Sequence, residues 1–138
     1  MTRKILLLLL ITACLSCKKN HQKPGCSIGK CTLEFASVGI RFVDKAGEGV
    51  IVTNFSAKNL RSDSLIVAGA VIDPGFSPAY KTIATDNNLK QFSTEGDNVQ
   101  ITATHPDTHQ IKTAVVKIAG GCACHISKIS GPNTVTFD

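Results

Sequence analysis

The chain is predicted to be all-β: a single antiparallel β-sandwich of seven or eight short strands, preceded by a cleaved leader and a short flexible tether. Three observations carry this. Thr, Val and Ile are frequent from residue 31 onward, and they fall in short runs. Turn residues recur between those runs. No window keeps apolar residues at helical spacing over three or more turns. Residues 31–138 are enough for one domain with one core.

Residues 1–16 read as a signal peptide. Arg3 and Lys4 give a basic start, Ile5–Ile11 is an unbroken apolar run, and small residues follow it. The run is too short to span a bilayer, which takes about 20 apolar residues. Its end resembles the lipobox of bacterial lipoproteins, an aliphatic residue and small residues before Cys. Ile11-Thr12-Ala13-Cys14 matches that pattern best by letter, and Cys14-Leu15-Ser16-Cys17 matches it with Cys in an unusual place. Cleavage before Cys17 leaves an even set, Cys26, Cys31, Cys122 and Cys124, whereas cleavage before Cys14 leaves an odd one. Parity and leader length favour Cys17, with Cys14 as the alternative. The resemblance implies acylation of that Cys on sulfur and amine, palmitate included. The partner is then a membrane, held through the N-terminal lipid. The location is the cell envelope, on the outer or inner membrane, facing the periplasm or the cell surface. More than one acyl chain anchors stably.

Residues 17–30 form the tether. Lys18-Lys19-Asn20-His21-Gln22-Lys23-Pro24-Gly25 has little apolar content and no period, the composition of a disordered spacer. The formal charge of +5 belongs to this end of the chain. From Cys31 onward there are 9 Lys and Arg against 10 Asp and Glu. A nucleic-acid partner is therefore not expected, because it needs a basic patch on the domain itself.

The first strand covers Cys31–Asp44. Leu33 and Phe35 alternate in one phase and Val38, Ile40 and Phe42 in the other, so a bulge near Ala36–Ser37 is expected to bring both sets to the core. Asp44–Gly49 is a turn with Gly47 at positive φ. Val50–Phe55 is a second strand, with an extension to Leu60 open, and the apolar run Leu65–Ile72 reads as a central one, weakened by Gly69. Asp73-Pro74-Gly75 and Ser77-Pro78 make a rigid loop. Tyr80–Thr85 is a short strand, closed by an Asp86-Asn87-Asn88 turn. Val99–Ala103 and Ile111–Ala119 form the clearest hairpin, around His105–His109. Gly120-Gly121 breaks the run. Cys122–Ile129 and Thr134–Phe137 read as a last strand pair.

The turn Val43-Asp44-x-x-Gly47-x-Gly49-Val50 resembles that of bacterial immunoglobulin-like and carboxypeptidase-regulatory-like (transthyretin-like) sandwiches, which more often have Pro at the place of Gly49. With Cys31-Thr32-x-x-Phe35 and Cys124-His125-Ile126-x-Lys128-x-Ser130-Gly131-Pro132, the chain is similar to a group of small uncharacterised lipoproteins of Gram-negative bacteria. That resemblance implies fold and location and no particular chemistry.

In an oxidising envelope compartment cysteines pair. Cys122 and Cys124, two apart on a strand, would bond to each other only with strain. The simplest arrangement joins each to Cys26 or Cys31, and the order stays open. The alternative is an envelope metal-binding or thiol-redox protein using Cys122, Cys124 and His125 with Cys26 and Cys31. Cys-x-Cys is not the usual zinc spacing, and no Cys-x-x-Cys redox motif is present. Copper(I) favours thioether as well as thiolate, and Met1 is the one methionine.

Other candidates are weaker. His105, His109 and Asp107 are ordinary turn residues. Gly25-x-x-x-Gly29-Lys30-Cys31 lacks the length, the hydroxyl and the helix of a phosphate loop. A small hydrolase pairing a Ser or Cys with His125 has no motif around it. Asp44, Asp63, Asp73, Asp86 and Asp97 read as turn formers. No Trp and a single Tyr argue against a carbohydrate platform, with the Phe residues fitting core phases. Asn54-Phe55-Ser56 has the form of a glycosylation acceptor, out of keeping with the bacterial lipoprotein features. The expected function is a binding, adaptor or structural module without catalysis or cofactor, with an envelope protein as partner.

Overall fold

A computed structural model describes residues 30–69 and 77–138. Residues 1–29, which include the expected leader and Cys14, Cys17 and Cys26, lie outside the described residues, as does 70–76. The strands are β1 (Ser37–Val43), β2 (Thr53–Asn59), β3 (Ser64–Leu65), β4 (Tyr80–Thr85), β5 (Asp97–Thr104), β6 (Ile111–Ala119), β7 (Ser127–Ser130) and β8 (Thr134–Thr136). They form two sheets, β4-β1-β8 and β3-β2-β5-β6-β7, so the all-β sandwich stands, with eight strands among the described residues.

Period-2 alternation does what it should. Val38, Ile40 and Phe42 of β1 point inward, as do Val99, Ile101 and Ala103 of β5 and Val116 and Ile118 of β6. Phe42 meets Phe55 edge-on, with ring centroids 6.1 Å apart, and lies tilted against Phe137. The β5–β6 hairpin pairs in unbroken register from Asp97↔Ile118 to Thr104↔Ile111. The Asp44 turn also forms: its carboxylate accepts from Ala46 N and Glu48 N, and Gly47 sits at φ 86°.

Several expectations are corrected. The β1 register shift lies between Val38 and Gly39, not at Ala36–Ser37. Leu33 is therefore fully exposed and Phe35 is 61% exposed, rather than in the core. The reason is that Ala36 N donates to the Asp86 side chain, so residues 31–36 leave the sheet. The second strand starts later, at Thr53, because Asn54 at φ 48° and a register shift between Thr53 and Ser56 break the earlier pairing. Of the expected central strand Leu65–Ile72, whose end lies outside the described residues, Leu65 pairs in a short edge strand, Ser64–Leu65, and Ile66 N donates to Ala57 O. Asp86–Asn88 opens a 3₁₀ helix, Asp86–Gln91, where Thr85 N donates to Asn88 Oδ1.

The last two strands do not pair with each other. β7 lies beside β6, and β8 crosses to the other sheet to run parallel to β1, the one parallel pair among the described strands. Gly131, at φ 107°, permits the crossing: a Cβ there would meet Val115 O at 2.6 Å. Asp97 is likewise more than a turn former. Its buried carboxylate accepts from Asn59 Nδ2, Arg61 Nε, and both Ser93 N and Oγ. Burial alone would raise its pKa, but these donors, Arg61 foremost, hold it well below the usual carboxylate range.

Candidate functional site

The candidate site forms where the chain leaves β6. A Cβ on Gly120 would meet Leu89 O at 2.6 Å, and Gly121 takes φ 64°. Gly121 N donates to Leu89 O at 2.8 Å. The Gly120-Gly121 break thus lays the following loop against the 3₁₀ helix and carries Cys122, Cys124 and His125 toward Asp86. From the other side, Ala36 O accepts from Asp86 N, which brings residues 31–36 to the same place.

Asp86 is the hub. Its Oδ2 accepts from Ala36 N at 2.8 Å and faces His125 Nδ1 at 2.7 Å, while Oδ1 accepts from Ile126 N at 2.9 Å. His125 Nε2 lies 2.9 Å from Thr32 Oγ1. Burial pushes the Asp86 carboxyl up, yet the backbone N–H of Ala36, the imidazole and the N–H of Ile126 bring it below its ordinary value. A carboxylate only accepts, so the ring proton between the two groups sits on Nδ1, and Nε2 shares a hydrogen bond with the Thr32 hydroxyl. Next to these residues in sequence, Cys31 and Cys124 form a disulfide with Cα atoms 5.3 Å apart across a separation of 93 residues. Cys122 is also disulfide-bonded.

Hydroxyl, imidazole and carboxylate stand in the order of a nucleophilic relay. Acyl transfer also needs donors aimed at the developing oxyanion and a hollow for the substrate. Two hollows among the described residues lie away from these three groups. One is apolar, lined by Phe55, Ala57, Leu65, Ile66 and Val67 among others, and one is polar, around Arg61, Asp97 and Lys117. What the arrangement does with the atoms present is clamp. One carboxylate and one disulfide fasten the segment at 31–36 to the 3₁₀ helix and to the loop after β6.

The other sequence-derived candidates are placed as follows. Cys124 and His125 come together with Cys31, but Cys124 is spent on Cys31 and both ring nitrogens of His125 are engaged. No cluster of three or more His, Cys, Asp or Glu suited to a metal ion occurs among the described residues. His105 Nδ1 accepts from Asp107 N and Thr108 N, and its ring stands edge-on to Phe137. Thr32 and Asp86 were not legible as site residues, because their partners lie 93 and 39 positions away. The nearest signal is Thr85-x-x-Asn88, a cap pattern that puts Asp86 in a first helical turn. Comparison with protein-family models, curated proteins and solved structures finds no match.

Proposed function

We propose that the chain is a lipid-anchored module of the bacterial cell envelope, a β-sandwich that serves in binding, adaptation or support and not in catalysis. The anchor is an acylated Cys17, with Cys14 as the alternative. The domain faces the periplasm or the cell surface from the outer or inner membrane, where it meets an envelope protein. The observation that supports this best is the Cys31–Cys124 disulfide, a bond that forms and persists in oxidising, exported compartments. It agrees with the basic, apolar and small-residue order of residues 1–17.

Growth with radiolabelled palmitate tests the anchor. Label is expected on the native chain and on Cys14→Ala, and not on Cys17→Ala. An unlabelled, uncleaved chain in the cytosol overturns the reading. Crosslinking in intact cells before lysis then identifies the envelope partner.

The thiol-redox alternative has one observation in its favour: His125 adjoins Cys124, and an imidazole can activate a thiol. A reduction potential below about −300 mV marks the bond as structural, and a markedly higher one favours exchange chemistry.

A further inference from the structure

We infer that Leu33 and Phe35 form a membrane-contact patch, through which the anchored domain rests on an anionic bilayer with its clamped end down. The inference rests on the lipid-anchor reading above and adds an orientation and a surface to it.

Leu33 is fully exposed and Phe35 is 61% exposed, two residues apart on a segment that belongs to neither sheet. A free apolar segment would be expected to fold back onto the core. This one is held away from it. Cys31 is bonded to Cys124, Thr32 to His125 and Ala36 to Asp86, so the segment is fixed at both ends with the two apolar residues between.

The chain that reaches this segment says what covers it. Fourteen residues, the length from 17 to 30, reach at most about 50 Å fully extended, and a coil of that length averages about 20 Å. An acylated Cys17 therefore keeps Cys31 close to the bilayer, and it is this end of the sandwich, not the Ile111 end, that arrives there. Strand β6 sets the two ends apart: it starts at Ile111 and ends at Ala119, just before Gly121 N donates to Leu89 O at the clamped end. Between anchor and segment lie Lys18, Lys19, Lys23 and Lys30, with no acidic residue. Such a basic run is drawn to anionic headgroups. An aromatic and an aliphatic side chain beside it can enter the boundary between headgroups and acyl chains. Glu34 lies between Leu33 and Phe35 in sequence and is itself exposed, which limits the contact to a shallow one.

The chain contains no Trp, so a single introduced Trp reports alone. The full acylated protein is reconstituted into vesicles of phosphatidylcholine and phosphatidylglycerol carrying brominated acyl chains. Phe35→Trp, Leu33→Trp and Ile111→Trp are compared, all three at exposed positions. Trp at 33 and at 35 is expected to be quenched at least about twofold, with Trp at 111 unaffected, because the quencher acts only on a ring within the boundary region. Replacing phosphatidylglycerol by phosphatidylcholine is expected to reduce the quenching. Protein that stays on the vesicles with Trp at 35 unquenched overturns the contact and leaves the anchor standing. Equal quenching at all three positions overturns the orientation. Protein that carries no acyl mass and washes off the vesicles overturns the anchor, and the contact with it.

Discussion

Asp86→Ala removes the hub of the clamp, and its effect can be worked out from the contacts. The wild-type carboxylate, 14% exposed, accepts from two backbone N–H groups and the imidazole. A hydrogen bond to a charged group contributes about 1.5–3 kcal/mol net. His125 is 26% exposed and can turn to water, so its share is discounted. The remaining two bonds give an expected loss of about 3–6 kcal/mol, or roughly 12–35 °C in Tm for a domain of this size. Asp86→Asn is expected to lie between wild type and Ala. Its one oxygen can serve Ala36 and His125, but its amide then faces the Ile126 N–H. Amide hydrogen exchange at Ala36 and Ile126 should quicken more than at Val99 or Val116 in the sheet. The pKa of Asp86 is depressed in the fold. Its contribution is therefore full above the ordinary carboxylate value, near pH ~4, and is lost as pH falls through the folded value. The gap in stability between wild type and Asp86→Ala should close in acid. A loss under about 1 kcal/mol, or Asn as damaging as Ala, would refute the hub.

Disulfide mapping should return Cys31–Cys124, and with Cys17 acylated it should return Cys26–Cys122. Trypsin leaves Cys122 and Cys124 on one fragment, so partial reduction and cyanylation are needed to separate the bonds. Cys31→Ser with Cys124→Ser should lower stability by roughly 2–3 kcal/mol in the chain-entropy model, read by denaturant melting, because a Cys26–Cys122 bond would still tie the same two parts of the chain. Asp97→Ala leaves Ser93 N and one hydrogen of the buried Asn59 amide without acceptors, for an expected loss of about 2–4 kcal/mol by thermal melting. Asp97→Asn should lose less, since one carboxamide oxygen can serve both. Gly39→Ala places a Cβ 2.2 Å from the Tyr80 ring and should swing that ring outward, destabilising by about 1 kcal/mol. Burial raises the Tyr80 pKa, so in this variant phenolate absorbance should appear at lower pH than in wild type.

Strand periodicity and turn chemistry are local properties, and the sequence by itself determined what depends on them. Val38, Ile40 and Phe42 alternate inward, Val99–Ala103 pairs with Ile111–Ala119, Asp44–Gly49 turns, and the whole is an all-β sandwich. Apolar character does not by itself mean burial. Leu33 and Phe35 have strand-like spacing, yet a distant carboxylate takes the backbone donor that would have continued the pairing. The run from Leu65 likewise begins in an edge strand, Ser64–Leu65, and its described residues form no central strand. Cys31 and Cys124 were among the expected disulfide residues, but their pairing is a fact of three dimensions, since all three connectivities satisfy the same sequence. Tertiary structure alone decided that Asp86 and Asp97, both readable as turn formers, are hubs. A carboxylate becomes a hub only when several unpaired donors converge on it, and those donors come from strands and loops far apart along the chain.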